Sequence, residues 1–175
     1  MQLGLVGLGK LGSRMAAIGK AFEMDVIAWS QNLTDERAAE VGVRRVDKDT
    51  LFAQSDVVSL HLVLSERSRH TVTARELGLM KPGAILVNTA RGPLVDEEAL
   101  ITALQEGRIR AGLDVFDIEP LPADHPLRTA PNTVLTPHLG YVTQGAYERF
   151  YKDIVENILA WRAGQPMRVL AAPKS

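Results

Sequence analysis

"LVGLGKLGSRMAAIG" (residues 5–19) decides the fold. It places Gly7-x-Gly9-x-x-Gly12 directly after a short aliphatic run, Leu3–Gly7, and at the head of a helical pattern over 11–22. One helix later comes "DVIAWS" (25–30), a second strand. Strand, glycine turn, helix, strand is the setting in which this glycine spacing has a physical meaning. Gly7 permits a tight turn, Gly9 lets a pyrophosphate approach the backbone, and Gly12 lets helix and strand pack closely. The amides of Lys10 and Leu11 then point from the helix N-terminus at the phosphates, with the helix dipole aiding.

Working outward, the same alternation continues. Strands are expected at Asp25–Ser30, Val57–Leu62, Ala84–Asn88, Ile109–Asp114 and Thr133–Thr136, with a weaker one near Val43–Val46. Helices are expected around 34–41, 48–54, 73–79 and 96–106, and a long one over 142–163. Strands alternating with helices imply βαβ units around a parallel sheet. Several strands are solid apolar runs, which is the pattern of a sheet covered on both faces. The fold class is therefore α/β: a Rossmann-type, doubly wound parallel sheet in a three-layer α/β/α sandwich. Residues 1–165 are expected to form this dinucleotide-binding domain and 166–175 a C-terminal tail. The stretch 117–137 has five prolines and reads as a long, stiffened loop rather than a helix.

Composition narrows the function classes. A chain of 175 residues with net charge −1, 46% hydrophobic and 23% charged residues has no electrostatic pull towards nucleic acid or acidic membranes. Without cysteine there is neither a disulfide nor a thiolate metal site. The apolar start is broken by Gly4, Gly7 and Gly9 and lacks a preceding basic region, unlike a secretory leader. No run approaches the ~20 apolar residues of a membrane span. A soluble, cytoplasmic protein is expected.

At the end of the second strand an Asp or Glu would bind the adenosine ribose hydroxyls of NAD. Ser30, Gln31 and Asn32 stand there instead, and Asp25 and Asp35 are misplaced. No arginine occupies that strand end either, although Arg37 is close in sequence. These residues leave NAD and NADP open, with a lean to NAD.

Three further stretches follow predicted strands: "VNTARGPLVDEEAL" (87–100), "AGLDVFDIEPLP" (111–122) and "TPHLGYVTQGAYERF" (136–150). Their polar residues therefore fall at the carboxyl edge of the sheet, where open α/β folds bind ligands. They offer an arginine, an acid and a histidine at separate loop tips, a set suited to polar catalysis on a carbonyl.

With these motifs in order, the chain resembles the cofactor-binding domain of the D-isomer-specific 2-hydroxyacid dehydrogenases, which include phosphoglycerate dehydrogenase and glyoxylate reductase. The resemblance runs from Leu5 to about residue 165. It implies NAD as cofactor and a small 2-hydroxy or 2-keto acid as substrate. It also implies that Arg91 holds the substrate carboxylate, that Glu119 orients His138, and that His138 exchanges a proton with the carbonyl oxygen as hydride moves. Arg91 suits a carboxylate because its planar fork donates two hydrogen bonds. A carboxylate partner is expected to stabilise the imidazolium of His138 and keep it a competent acid near neutrality. Asp114 would take the nicotinamide carboxamide, the alternative being a buried structural acid. His61, Leu62 and Val63 of "SLHLVLS" match the segment beside the adenine and its ribose, with Val63 where the family commonly has proline. Thr89 and Ala90 of "NTARG" and Gly140 of "HLGY" complete the expected contacts with the cofactor. His70 and His125 match no catalytic position and are expected to be solvated.

In the family a second domain closes over the substrate, and here it is expected to be missing, which would leave the chain alone with negligible turnover. A non-enzymatic, NAD-responsive dimerisation module is the alternative function. A homodimer is expected by resemblance. In the last helix Tyr147, Phe150, Ile154, Ile158 and Trp161 form one stripe, whose simplest reading is core packing.

Overall fold

Strand β1 (Gln2–Val6) is the centre from which the sheet grows. Side chains alternate along a strand, so Leu3 and Leu5 join Val26 and Ala28 of β2 (Asp25–Trp29) on one face. Val6 and Ile27 lie on the other. The register pairs Leu3 with Val26 and Leu5 with Ala28. The remaining strands are β3 (Arg44–Arg45), β4 (Val57–Leu60), β5 (Ile85–Asn88), β6 (Arg110–Leu113) and β7 (Thr133–Leu135). All pair in parallel, in the order β3-β2-β1-β4-β5-β6-β7. This is the expected doubly wound α/β sheet. The computed structural model describes residues 1–170; residues 171–175 of the expected tail lie outside the described residues.

Helices cover both faces. α1 (Lys10–Ala21) and α2 (Asp35–Val41) contribute Ala16 and Ala38 to the core on the Leu3–Leu5 side. α3 (Lys48–Gln54), α4 (Ala74–Leu79) and α5 (Glu97–Gln105) supply Leu51, Phe52, Leu77, Leu100 and Leu104 to the larger core opposite. From β1 the chain winds outward to β2 and β3, then returns to β4 on the other side of β1. The order thus reverses between β1 and β4, and a crevice opens at their carboxyl ends.

Most strands stop one or two residues before the apolar runs that predict them. Gly7, Ser30, His61, Leu62, Asp114 and Thr136 all leave the sheet. Each turns out where the rim of the crevice begins, so the apolar runs extend past the hydrogen-bonded ladder. The proline-rich stretch also holds more order than expected. A 3-10 turn spans Pro126–Thr129, β7 follows, and Arg128 braces the loop through the carbonyls of Leu121 (2.6 Å) and Pro122 (2.7 Å).

The chain divides into two compact units, Met1–His138 and Leu139–Ser175. The described part of the second unit holds one α-helix, α6 (Gln144–Arg162), capped by Thr143. Beyond Gly164 the chain turns, and Arg168 pairs with Asp153 (3.0 Å) and Glu156 (2.6 Å) of that helix. The expected core stripe is corrected here. No residue of α6 is buried, and Phe150, Ile158 and Trp161 are all exposed. Among the described residues of this unit no second helix or strand is present on which α6 could bury an apolar face. No helix among the described residues is long and apolar enough to cross a membrane.

Candidate functional site

The glycine turn forms because two of its three glycines stand where a side chain does not fit. Gly7 has φ +104°, a region L-residues rarely adopt, and a Cβ there would press on the backbone of His61. A Cβ on Gly12 would overlap the Gly7 carbonyl oxygen. Gly9 differs: nothing lies within 4 Å of its would-be Cβ, so open space faces that residue. Among the described α-helices, α1 is also the one without a side-chain N-cap. Thr34, Asp47, Thr73, Asp96 and Thr143 cap the others. The first-turn amides of α1, those of Lys10 and Leu11 included, are thus left facing outward at the positive end of the helix dipole. That cradle fits a pyrophosphate.

Clefts lie along the carboxyl rim beside this turn. One of about 370 Å3 runs between the loops after β2 and β4, with Ser30, Gln31 and Asn32 on one wall and Val63 on the other. A second, of about 570 Å3, is lined by Leu11, His61, Leu62, Val63, Thr89, Ala90 and Arg91. His61 is mostly buried, its Nε2 is 3.0 Å from the Ser59 hydroxyl, and burial pulls its pKa down, so the ring is neutral near pH 7. Its amide bonds to the Val6 carbonyl at 2.8 Å, which ties the β4 loop beneath the glycine turn. Asp25 lies at the wrong end of β2, bonded to Gln2, and Asp35 faces Arg45.

The Arg91 turn is built by Asn88, a buried side chain at the end of β5. Its amide nitrogen donates to the Arg91 carbonyl (2.9 Å), and its oxygen accepts from the Ala90 amide (3.0 Å). Next to it, Gly92 packs so closely on Phe116 that a Cβ there would collide with that backbone. The Arg91 loop and the Phe116–Glu119 loop are thereby held side by side. Arg91 itself is exposed and gives one N–H to the Ala90 carbonyl.

Glu119 is braced twice. Oε1 accepts the Phe116 amide at 3.0 Å, and Oε2 lies 2.7 Å from His138 Nδ1. A carboxylate has no proton to give, so Nδ1 carries the hydrogen that bridges the pair. Burial works against the Glu119 charge. The hydrogen bonds from His138 and Phe116, with the charges of His138 and Arg91, overcome it and hold the carboxyl below its ordinary range. His138 has φ +56°, a left-handed backbone that orients the ring at some conformational cost. The Glu119–His138 pair borders a cleft of about 370 Å3 with Phe116, Leu121, Arg128 and Pro137.

The structure thus brings Glu119 and His138 into contact and leaves Arg91 on the neighbouring cleft, close enough to act on Glu119 by its charge. Asp114 is buried at the end of β6 and accepts a hydrogen bond from Thr136. Gly140 belongs to the second unit. His125 is corrected: it is not solvated but lies 3.0 Å from Glu97 and caps the 3-10 turn, because its loop folds back on α5. Sequence reasoning missed Asn88 and Gly92, both inside a quoted motif, because their value lies in contacts with other loops. It also missed Arg67 on the β2–β4 cleft. The signal for Arg67 was its loop, which follows the strand beside β1.

Known proteins fit this geometry. Residues 1–140 match the family model described as the D-isomer specific 2-hydroxyacid dehydrogenase, NAD binding domain. A glyoxylate reductase from Aeropyrum pernix is 44% identical over 164 residues, covering 93% of this chain and 49% of the relative. The solved structure of a phosphoglycerate oxidoreductase from Vibrio cholerae superposes with a TM-score of 0.88 at 38% identity, covering 93% of this chain and 53% of that one. A D-lactate dehydrogenase from Aquifex aeolicus, complexed with NAD and lactic acid, gives 0.79 at 33% identity, covering 94% and 54%. The chain spans about half the length of these relatives. A shared domain match, high identity and one topology lead to a single conclusion: the chain belongs to the D-isomer specific 2-hydroxyacid dehydrogenase family, with the NAD-binding domain of that family in residues 1–140.

Proposed function

We propose that this chain serves an NAD(P)-dependent oxidoreductase that interconverts a small 2-hydroxy acid and its 2-keto acid. The observation that carries the reading is the Glu119–His138 pair, 2.7 Å apart at the carboxyl rim of a sheet whose glycine turn is open at Gly9. The turn Gly7–Gly12 would hold the dinucleotide's pyrophosphate on the amides of Lys10 and Leu11. Ser30, Gln31, Leu62 and Val63 would line its adenosine half, and Thr89, Ala90 and Asp114 its nicotinamide half. Bound there, the nicotinamide supplies or accepts a hydride. The chain's own residues do the polar work. Arg91 offers the free face of its guanidinium to the substrate carboxylate, and its charge draws electrons towards the carbonyl oxygen. His138 donates the Nε2 proton to that oxygen in reduction and takes a proton from the hydroxyl in oxidation. Glu119 holds the ring by Nδ1 and fixes its orientation.

General acid–base help of this kind gives about 10²–10⁴-fold. Arg91 is exposed and His138 is open to solvent by about a third of its side chain (36%), so water has access to this wall of the site. Turnover of glyoxylate or hydroxypyruvate by the 175-residue chain is therefore expected to be slow. Titration with NADH, followed by tryptophan fluorescence, is expected to saturate. The residual glyoxylate-dependent oxidation of NADH is expected to vanish in H138Q and to fall in E119Q. Absence of saturable binding by NADH and NADPH alike would overturn the reading, as would turnover indifferent to H138Q.

A further inference from the structure

The loops after β2 and β4 hold a charge that the residues of β2 alone do not reveal. On the β2 side their shared cleft presents Ser30, Gln31 and Asn32, with no carboxylate among them. On the β4 side it presents Arg67, the single charged residue of its lining. Arg67 enters none of the ion pairs among the described residues, so its guanidinium is not already neutralised. Two arginines of the β2–β3 segment are paired elsewhere. Arg37 is bound to Glu40 at 2.8 Å and to Ser13 at 3.3 Å, and Arg45 faces Asp35 at 3.4 Å.

The loop that carries Arg67 is closed on itself. The Ser68 hydroxyl donates to the Val63 carbonyl (2.7 Å) and accepts the Ser65 amide (2.8 Å). Thr71 Oγ1 donates to the Ser68 carbonyl (2.7 Å), and the Arg69 amide bonds to the Ser65 carbonyl (2.9 Å). Little ordering is left for a ligand to impose on the backbone there.

We propose that Arg67 is a specificity-determining residue that binds the 2′-phosphate of the adenosine ribose, so that this chain takes NADPH in preference to NADH. The inference rests on the reading that the rim binds a dinucleotide. An acid at the end of β2 would select the free ribose hydroxyls and repel a phosphate there. Its place is taken by neutral side chains able to donate hydrogen bonds. An arginine fork facing them matches a phosphate with two charge-assisted hydrogen bonds. The lean to NAD that Ser30 and Gln31 leave is thereby reversed.

The test is binding, not turnover. The 175-residue chain is titrated with NADPH and NADH by energy transfer from tryptophan, Trp29 being part of the cleft wall. It is also titrated with 2′,5′-ADP and 5′-AMP by calorimetry. NADPH is expected to bind at least about tenfold more tightly than NADH, and 2′,5′-ADP to exceed 5′-AMP by a similar ratio. In R67Q the NADPH affinity is expected to fall to that of NADH, and R67K to retain part of the preference. Because Arg67 is exposed, the melting temperature of R67Q should match that of the parent chain. Equal affinities for NADPH and NADH in the parent chain, or an undiminished ratio in R67Q, would overturn the assignment of Arg67 while leaving the dinucleotide reading in place. No binding of any of the four probes would bring down that reading, and this one with it.

Discussion

Single residues at the glycine turn separate folding from binding. Gly9 has φ −77° and open space where a Cβ would go, so Gly9→Ala fits the folded chain. The added methyl does intrude on the side from which a pyrophosphate would come. The expected outcome is an unchanged melting curve with NADH affinity reduced about tenfold or more. NADH binding as tight in G9A as in the parent chain would place the phosphates elsewhere. Gly12→Ala acts on the protein itself, because its methyl meets the Gly7 carbonyl. It is expected to destabilise by roughly 1–3 kcal/mol in a urea titration, the usual range for overpacking. A stability equal to the parent's would mean that α1 and the turn can slide apart freely. Gly7 and Gly12 are legible in sequence for this reason: a backbone conformation or contact that admits no side chain leaves a glycine in the text. Arg67 and Asn88 leave no comparable mark, since an arginine or asparagine is at home in many loops.

Among the elements, α4 shows how a short helix is pinned. Thr73 and Glu76 form a capping box, and Glu76, almost wholly buried, also takes Lys48 of α3 at 2.9 Å. Burial opposes its ionisation, but hydrogen bonds from the Thr73 hydroxyl and amide and from Lys48 prevail and hold the carboxyl at about 2. A carboxyl depressed in the folded state contributes stability that is whole above its unfolded pKa of about 4.3. That contribution is lost as pH falls from there through about 2. Glu76→Gln is therefore expected to destabilise by on the order of 3 kcal/mol near neutrality, with about half that difference near pH 3. Chemical denaturation of both proteins at the two pH values checks this. A penalty independent of pH would show that the loss comes from packing and not from charge. The helix itself was legible, through Thr73 followed by Glu76. Its tie to Lys48 was not, because the partner lies 28 residues away.

At the scale of the whole molecule, the two units differ in how they hold themselves. β1, β2 and β4 lie between two apolar cores, whereas α6 buries no residue. Hydrogen exchange is expected to protect the amides of β1, β2 and β4 longest and to release those of α6 early, through local opening. Protection of α6 equal to that of β1 would show that the helix shares the global stability of the sheet. The sequence by itself determined the alternation of strand and helix, the turn at Gly7–Gly12 and the placement of Arg91, Glu119 and His138 on the carboxyl edge. These follow from backbone preference and side-chain period, which act over a few residues. Only the tertiary structure decided that Glu119 is braced by Phe116, that Gly92 locks two loops together, that Arg67 faces Ser30 across a cleft, and that the α6 stripe stays uncovered. Each depends on which distant segments meet, and that is fixed by the packing of the whole sheet rather than by any short stretch of chain.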